Sequence, residues 1–236
     1  MASVQDALSK WEIFCRVVDN YGDAGACWRL ARALAVEYGV EVRLWVDDWV
    51  ALGKLCPGAL QDGSRVAGVE LRRWTVDFPV VEPADVVIEA FACELPKAHV
   101  RAMAARLKPP VWINLEYLSA EDWVRSCPGL ASPQIDKCLT KYFFFPGFTG
   151  GTGGLIREAG LFARRERSLT ERDRNSWLEA LGIAPKPPRG DEERWMSLFS
   201  YEQASVGELL RCWSAGAHPM LLLIPEGRAL DCVGAA

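Results

Sequence analysis

The chain has 236 residues, half of them apolar, and a formal net charge of −4. That length holds one large domain or two small ones, with enough apolar side chains for a sizeable core. The mild acidity comes with no long basic run, which argues against general nucleic-acid binding.

Eight cysteines are scattered without a C-x-x-C pair, so buried reduced thiols are expected rather than zinc ligands. Residues Met1 to Lys10 show no apolar signal core, and no apolar run approaches the length that spans a bilayer. A soluble, cytoplasmic protein is the expectation.

The first element is the β-rich run Ile13 to Val18. It leads into Asp19-Asn20-Tyr21-Gly22-Asp23-Ala24-Gly25, and then into a helical pattern in which Cys27, Leu30, Ala31, Leu34, Ala35 and Tyr38 share one face. Strand, glycine-bearing loop and helix form the opening unit of a doubly wound α/β domain, whose ligands bind beyond the carboxyl ends of the strands. Asp19 and Asp23 bracket that loop. The loop alone reads equally well with Asp23 as a helix N-cap and Asp19 bonded to a turn amide.

Val40 to Val46 reads as the second strand, followed by Asp47 and Asp48 in a solvated loop. Gly22 and Gly25 give only G-x-x-G, which argues against a dinucleotide fingerprint and a dinucleotide-dependent oxidoreductase. Val69 to Trp74 alternates as a short strand. Ala84 to Phe91 suits a strand covered on both faces. Leu95 to Leu107 is helical, with His99 on its surface, and Pro109-Pro110 stop it. Val111 to Leu115 is the next strand. Glu89 and Glu116 lie near strand ends and read as loop or capping acids, with Tyr117 beside Glu116.

Lys141 to Pro146 reads as a further buried strand. The glycine-rich Gly147 to Gly154 lacks the Lys-Ser/Thr of a phosphate loop and reads as a flexible connection. Arg164 to Arg174 is solvated and mixed in charge, Asn175 to Leu181 is helical, and Gly182 closes it. Pro185 to Gly190 reads as a linker. A strand at Arg194 to Ser200, a helix at Val206 to Trp213 and a strand at Met220 to Ile224 make one β-α-β unit. One such unit has too little partner surface to cover both faces of its strands. The expected layout is a complete domain over residues 1–165, then a linker helix and the incomplete start of a second domain over 166–236.

Several stretches carry a resemblance. Val17 to Gly25 with Cys27 to Arg32, Leu44 to Asp48, Ile113 to Glu121, Phe143 to Thr149, Thr152 to Leu155, Ser197 to Glu202 and Pro225 to Arg228 resemble, in order, the elongation factor P arginine rhamnosyltransferases, the EarP family. The resemblance implies a GT-B fold, two facing Rossmann-like domains with the reaction between them. It implies inverting, metal-free transfer of L-rhamnose from dTDP-β-L-rhamnose to one arginine of elongation factor P. The family's paired aspartates match Asp19 and Asp23. Its donor-contacting loop matches Asn20, Tyr21, Gly22 and Asp23, and its donor-side aromatic pair matches Phe199 and Tyr201. The family also carries a Glu-Asp-Ser motif in its second domain, and none follows residue 228 here.

The chemistry asks for carboxylates. A guanidinium stays protonated and its lone pairs are delocalised. A carboxylate can bind it bidentately, align one nitrogen and accept the proton as the new C–N bond forms. Asp23 is assigned that proton and Asp19 the orienting part. Inversion needs one in-line displacement, so no covalent nucleophile is invoked. The competing expectation is a non-catalytic module that binds elongation factor P without modifying it.

Overall fold

The computed structural model describes the chain apart from residues 1–9, 19–20, 60, 135–137, 169–170, 184–193, 200–204, 217, 227–229, 231–232 and 234–236. Asp19, Asn20, Tyr201, Cys232 and the proline-rich stretch 185–190 therefore lie outside the described residues. The chain divides into two compact units, Met1–Leu161 and Phe162–Ala236.

The first unit is built on an eight-stranded sheet. Its strands are β1 (Lys10–Cys15), β2 (Glu41–Val46), β3 (Arg65–Val66), β4 (Val69–Arg73), β5 (Val86–Ala90), β6 (Val111–Leu115), β7 (Ala131–Pro133) and β8 (Thr140–Phe144). Their order is β3-β4-β2-β1-β5-β6-β8-β7. The six inner strands are parallel, and the two outermost fold back antiparallel. Counting the parallel strands alone gives the 3-2-1-4-5-6 order of a Rossmann sheet.

Residue chemistry explains both faces. Every residue of β5 is buried, as a strand covered on both sides requires. On one face Ile13, Cys15, Leu44, Val46 and Ile88 meet Cys27, Trp28 and Ala31 of α1 (Gly22–Tyr38) and Leu52 of α2 (Trp49–Leu55). Helix α1 ends at Gly39, whose φ of 65° is left-handed, and Val40 N–H reaches back to Leu34 O. Asp48 is the N-cap of α2, accepting from the Val50 and Ala51 amides.

On the other face Phe14, Trp45, Val87, Trp112 and Leu139 meet Met103 of α3 (Lys97–Ala105). The connection from β4 to β5 has no helix; Trp74, Phe78 and Val81 from that irregular segment cover the face instead. His99 is 2% exposed rather than a surface residue. It shares the buried face of α3 with Met103, one turn on, and its ring lies against Phe14 and Phe78. Beside it Glu12 is held by Arg43 Nη1 at 2.9 Å and the Ala84 amide at 3.2 Å, with His99 Nε2 at 3.0 Å.

Two further expectations change. Strand β8 is half-buried, with Tyr142 and Phe144 exposed, because only the short β7 lies beyond it. The 147–154 segment is a hydrogen-bonded turn: Gly153 N–H reaches Phe145 O at 2.8 Å and Gly147 N–H reaches Gly154 O at 3.2 Å.

The second unit contains α5 (Glu171–Ala180), β9 (Arg194–Ser197), α6 (Val206–Ser214) and β10 (Met220–Leu223), after α4 (Leu161–Ser168), which begins at the boundary. Strands β9 and β10 pair in parallel. The strand–helix–strand order agrees with the sequence reading.

Candidate active site

In a sheet of this order the chain reverses its winding between β1 and β5, and the crevice at their carboxyl ends is where ligands bind. Asp23 stands there, in the first turn of α1 and 1% exposed. The N-cap position of the helix is Tyr21, so Asp23 lies inside the first turn rather than at the cap. Oδ2 accepts from the Val18 amide at 2.8 Å, and Oδ1 accepts from the Tyr117 hydroxyl at 2.9 Å. The first helical bond is Gly25 N–H to Tyr21 O at 2.8 Å. The N-terminal end of the helix offers its positive dipole to a negative charge at this place.

The preceding amide is also held. Val17 N–H donates to Asp47 Oδ1 at 2.9 Å, and the Asp48 amide donates to the same oxygen at 2.8 Å. Asp47 is thus a clamp between the carboxyl ends of β1 and β2, not merely a solvated loop acid. Two successive backbone amides, Val17 and Val18, are each fixed by a carboxylate from another part of the chain.

The far wall comes from β5 and β6. The Phe91 ring stacks on Tyr117 with centroids 4.2 Å apart and planes 10° from parallel. Phe91, Ala92 and Glu94 all have left-handed φ, between 51° and 56°. Such angles in residues with side chains cost about 1 kcal/mol or more each and persist only where the surroundings impose them. Here Phe91 N–H reaches Leu115 O at 2.7 Å and Glu94 N–H reaches Glu89 Oε1 at 3.1 Å. Glu89 is itself buried and held by Trp112 Nε1 at 3.0 Å and Lys141 Nζ at 3.2 Å. Glu89 therefore shapes the loop that carries Phe91. Glu116 takes a hydrogen bond from Asn114 Nδ2.

The thiols beneath the loop are poor nucleophiles. A hydrogen bond with Cys15, then burial, pushes the Cys27 thiol well above its ordinary range. Burial, with the nearby Glu89 charge, pushes the Cys93 thiol up to about 12. A thiolate is the reactive form, and these sites disfavour it. The described cysteines are all free: Cys138 and Cys212 are exposed, while Cys15, Cys27, Cys56 and Cys93 are buried.

Of the residues singled out in the sequence, Tyr21, Gly22 and Asp23 fall at this crevice. Phe199 belongs to the second unit, just past β9, and is 55% exposed. Phe91 was missed, since an aromatic at the end of a buried strand reads as core. Tyr117 was noted only as a strand-end neighbour. The available signal was that β1, β5 and β6 all end here. A separate concavity of about 270 Å³ lies at the opposite, amino-terminal end, lined by Trp11, Glu12, Arg43, Glu70, Asp85 and Arg106 among others. It is remote from the strand ends where this topology binds ligands.

A Rossmann-order parallel sheet with a fixed carboxylate and an aromatic wall at its reversal point defines an α/β domain built to hold a ligand beyond its strand ends. A family profile described as "Elongation-Factor P (EF-P) rhamnosyltransferase EarP" matches residues 11–236, and the chain belongs to that family. It is 50% identical over 223 residues to a protein-arginine rhamnosyltransferase of Pseudomonas putida, covering 93% of this chain and 58% of that protein. A protein of the same name from Pseudomonas aeruginosa is 50% identical over 229 residues, covering 94% and 59%. One from Shewanella oneidensis is 42% identical over 243 residues, covering 97% and 60%. The chain thus spans somewhat under two thirds of the length of these relatives. No helix among the described residues is long and apolar enough to cross a membrane.

Proposed function

We propose that this chain provides the acceptor-side domain, and the beginning of the donor-side domain, of an inverting protein-arginine rhamnosyltransferase of GT-B architecture. The donor is dTDP-β-L-rhamnose, the acceptor is an arginine of elongation factor P, and the setting is the cytoplasm. The observation that carries this reading is Asp23, a carboxylate fixed by two donors at the reversal point of the sheet in a chain of this family.

In this reading Asp23 binds the guanidinium and takes its proton as the nitrogen attacks the anomeric carbon. The C–O bond to the nucleoside diphosphate breaks in the same step. Asp19 orients the guanidinium. Asn20, Tyr21, Gly22 and Asp23 contact the donor in this reading, as do Phe199 and Tyr201. Carboxylates suffice for the proton, so the transfer is proposed to need no metal.

Intact mass of elongation factor P after incubation with protein and donor tests this. A gain of one deoxyhexose is expected, unchanged by a metal chelator. Asp23→Asn keeps size and hydrogen bonding but loses the basic oxygen, and is expected to slow transfer by about 10²–10⁴. Turnover by Asp23→Asn equal to the parent overturns the assignment. The competing reading is a module that binds elongation factor P without modifying it. Unchanged mass with retained binding supports that module.

A further inference from the structure

We propose that Tyr117 is a positioning residue for Asp23, and that the strained Phe91–Glu94 loop exists to hold Tyr117 in place. The inference rests on the proposed function, in which Asp23 takes the proton.

The argument starts from an oddity of burial. Tyr117 is 50% exposed, so its ring contributes little to the core. Its hydroxyl nonetheless donates to a carboxylate that is 1% exposed, 94 residues away in sequence. A half-exposed tyrosine normally spends its hydroxyl on water and its ring on rotamer freedom. This one is restrained at three points. Its ring is stacked on Phe91. The backbone before it is tied by Glu116 N–H to Phe144 O at 2.9 Å, and the backbone after it by a bridge from Ser119 to Gly147.

The stacking partner is held at a cost. Phe91 has a φ of 56°, and the two other left-handed residues follow within three positions. Glu89, buried between Trp112 and Lys141, accepts the Glu94 amide and so fixes the far end of that loop. The loop also carries Cys93 and Leu95 into the core, but the strained residues themselves put little there, since Phe91 is only partly buried and Ala92 and Glu94 are exposed. Strain of this kind collects where a side chain must be aimed.

The outcome is a carboxylate held at both oxygens, with the Val18 amide on Oδ2 and the Tyr117 hydroxyl on Oδ1 among its donors. A base must meet its proton along a lone pair, and a misplacement of about 1 Å can cost a hundredfold in rate. The arrangement extends the logic in which a base is itself oriented by a third group.

Tyr117→Phe separates the hydroxyl from the ring. Transfer to elongation factor P is measured on this chain and on a chimera that takes its remaining length from the Pseudomonas putida relative, with Asp23→Asn alongside. Tyr117→Phe is expected to lower kcat about ten- to hundredfold with donor KM changed less than about twofold and an unchanged melting midpoint. Phe91→Leu keeps the hydroxyl but removes the stack, and is expected to lower kcat by a smaller factor with the same split. A merely structural tyrosine would shift the midpoint and leave kcat alone. Parental kcat in Tyr117→Phe, with Asp23→Asn inactive, overturns the inference and leaves the proposed function standing. Parental turnover in Asp23→Asn, or transfer by neither the chain nor the chimera, overturns the proposed function and this inference with it.

Discussion

At the scale of single residues, the most exacting environment lies far from Asp23, at Glu12. This carboxylate is 1% exposed, and burial alone would raise its pKa. His99, the Ala84 amide and Arg43 outweigh burial and hold it below the usual carboxylate range. The sign of the linkage follows. A carboxyl group with a lower pKa when folded stabilises the fold fully above its unfolded value of about 4.3, and that contribution is lost as pH falls through the folded value. Glu12→Gln is therefore expected to be less stable than the parent by about 2 kcal/mol at neutral pH, the scale set by leaving buried donors unmatched. Arg43 keeps Glu70 at 3.2 Å and is partly exposed, which limits the loss. Urea unfolding between about pH 6 and about pH 3 should show the parent losing stability faster than the variant, and the two curves converging in acid. Parallel curves would show that Glu12 is not the group that titrates.

At the scale of elements, the turn after β8 shows what glycine is for. A Cβ on Gly147 would lie 2.6 Å from Thr152 Cβ, and one on Gly153 would lie 2.3 Å from the Phe144 ring. The turn is closed by Thr152 Oγ1 donating to Thr149 O at 2.6 Å. Gly147→Ala should cost about 1–3 kcal/mol as the turn is forced apart, read by chemical denaturation. A stability unchanged from the parent would show that the turn is free to shift. The sequence made the glycines visible but not their purpose, because a close approach depends on a residue brought near by the fold. The same division runs through the site. The strand, loop and helix around Asp23 were legible from apolar periodicity and from the glycine at the turn. The roles of Asp47 and Tyr117 were not, since their hydrogen bonds span 30 and 94 residues. His99 was misread because one polar residue on a helix looks like surface until Met103 below it marks the buried side. Strands β3 and β7, of two and three residues, are too short for any periodicity to show.

At the scale of the whole molecule, the two units differ in how well their strands are covered. Strand β5 is buried throughout, whereas β10 is only half-buried along its length and β9 is mostly exposed. A two-stranded pair is marginal without cover. Hydrogen exchange on the chain should leave the β1, β2 and β5 amides slowest, with β9 and β10 exchanging faster by about a hundredfold or more. Equal protection in both sheets would contradict this. The rim of the large sheet has a further bearing on recognition. One border is a two-residue strand, and the other is a three-residue strand ending in Pro133, which has no N–H to offer. Among the described residues neither border offers an incoming strand more than two or three residues to pair with, which disfavours lengthening by a neighbour's backbone and stacking of its own copies. A protein that docks on it therefore gains little from one recurring way of reading an extended peptide, the addition of a strand. What remains for recognition is the relief of side chains and loops, which a flexible tail matches poorly and a rigid folded surface matches well.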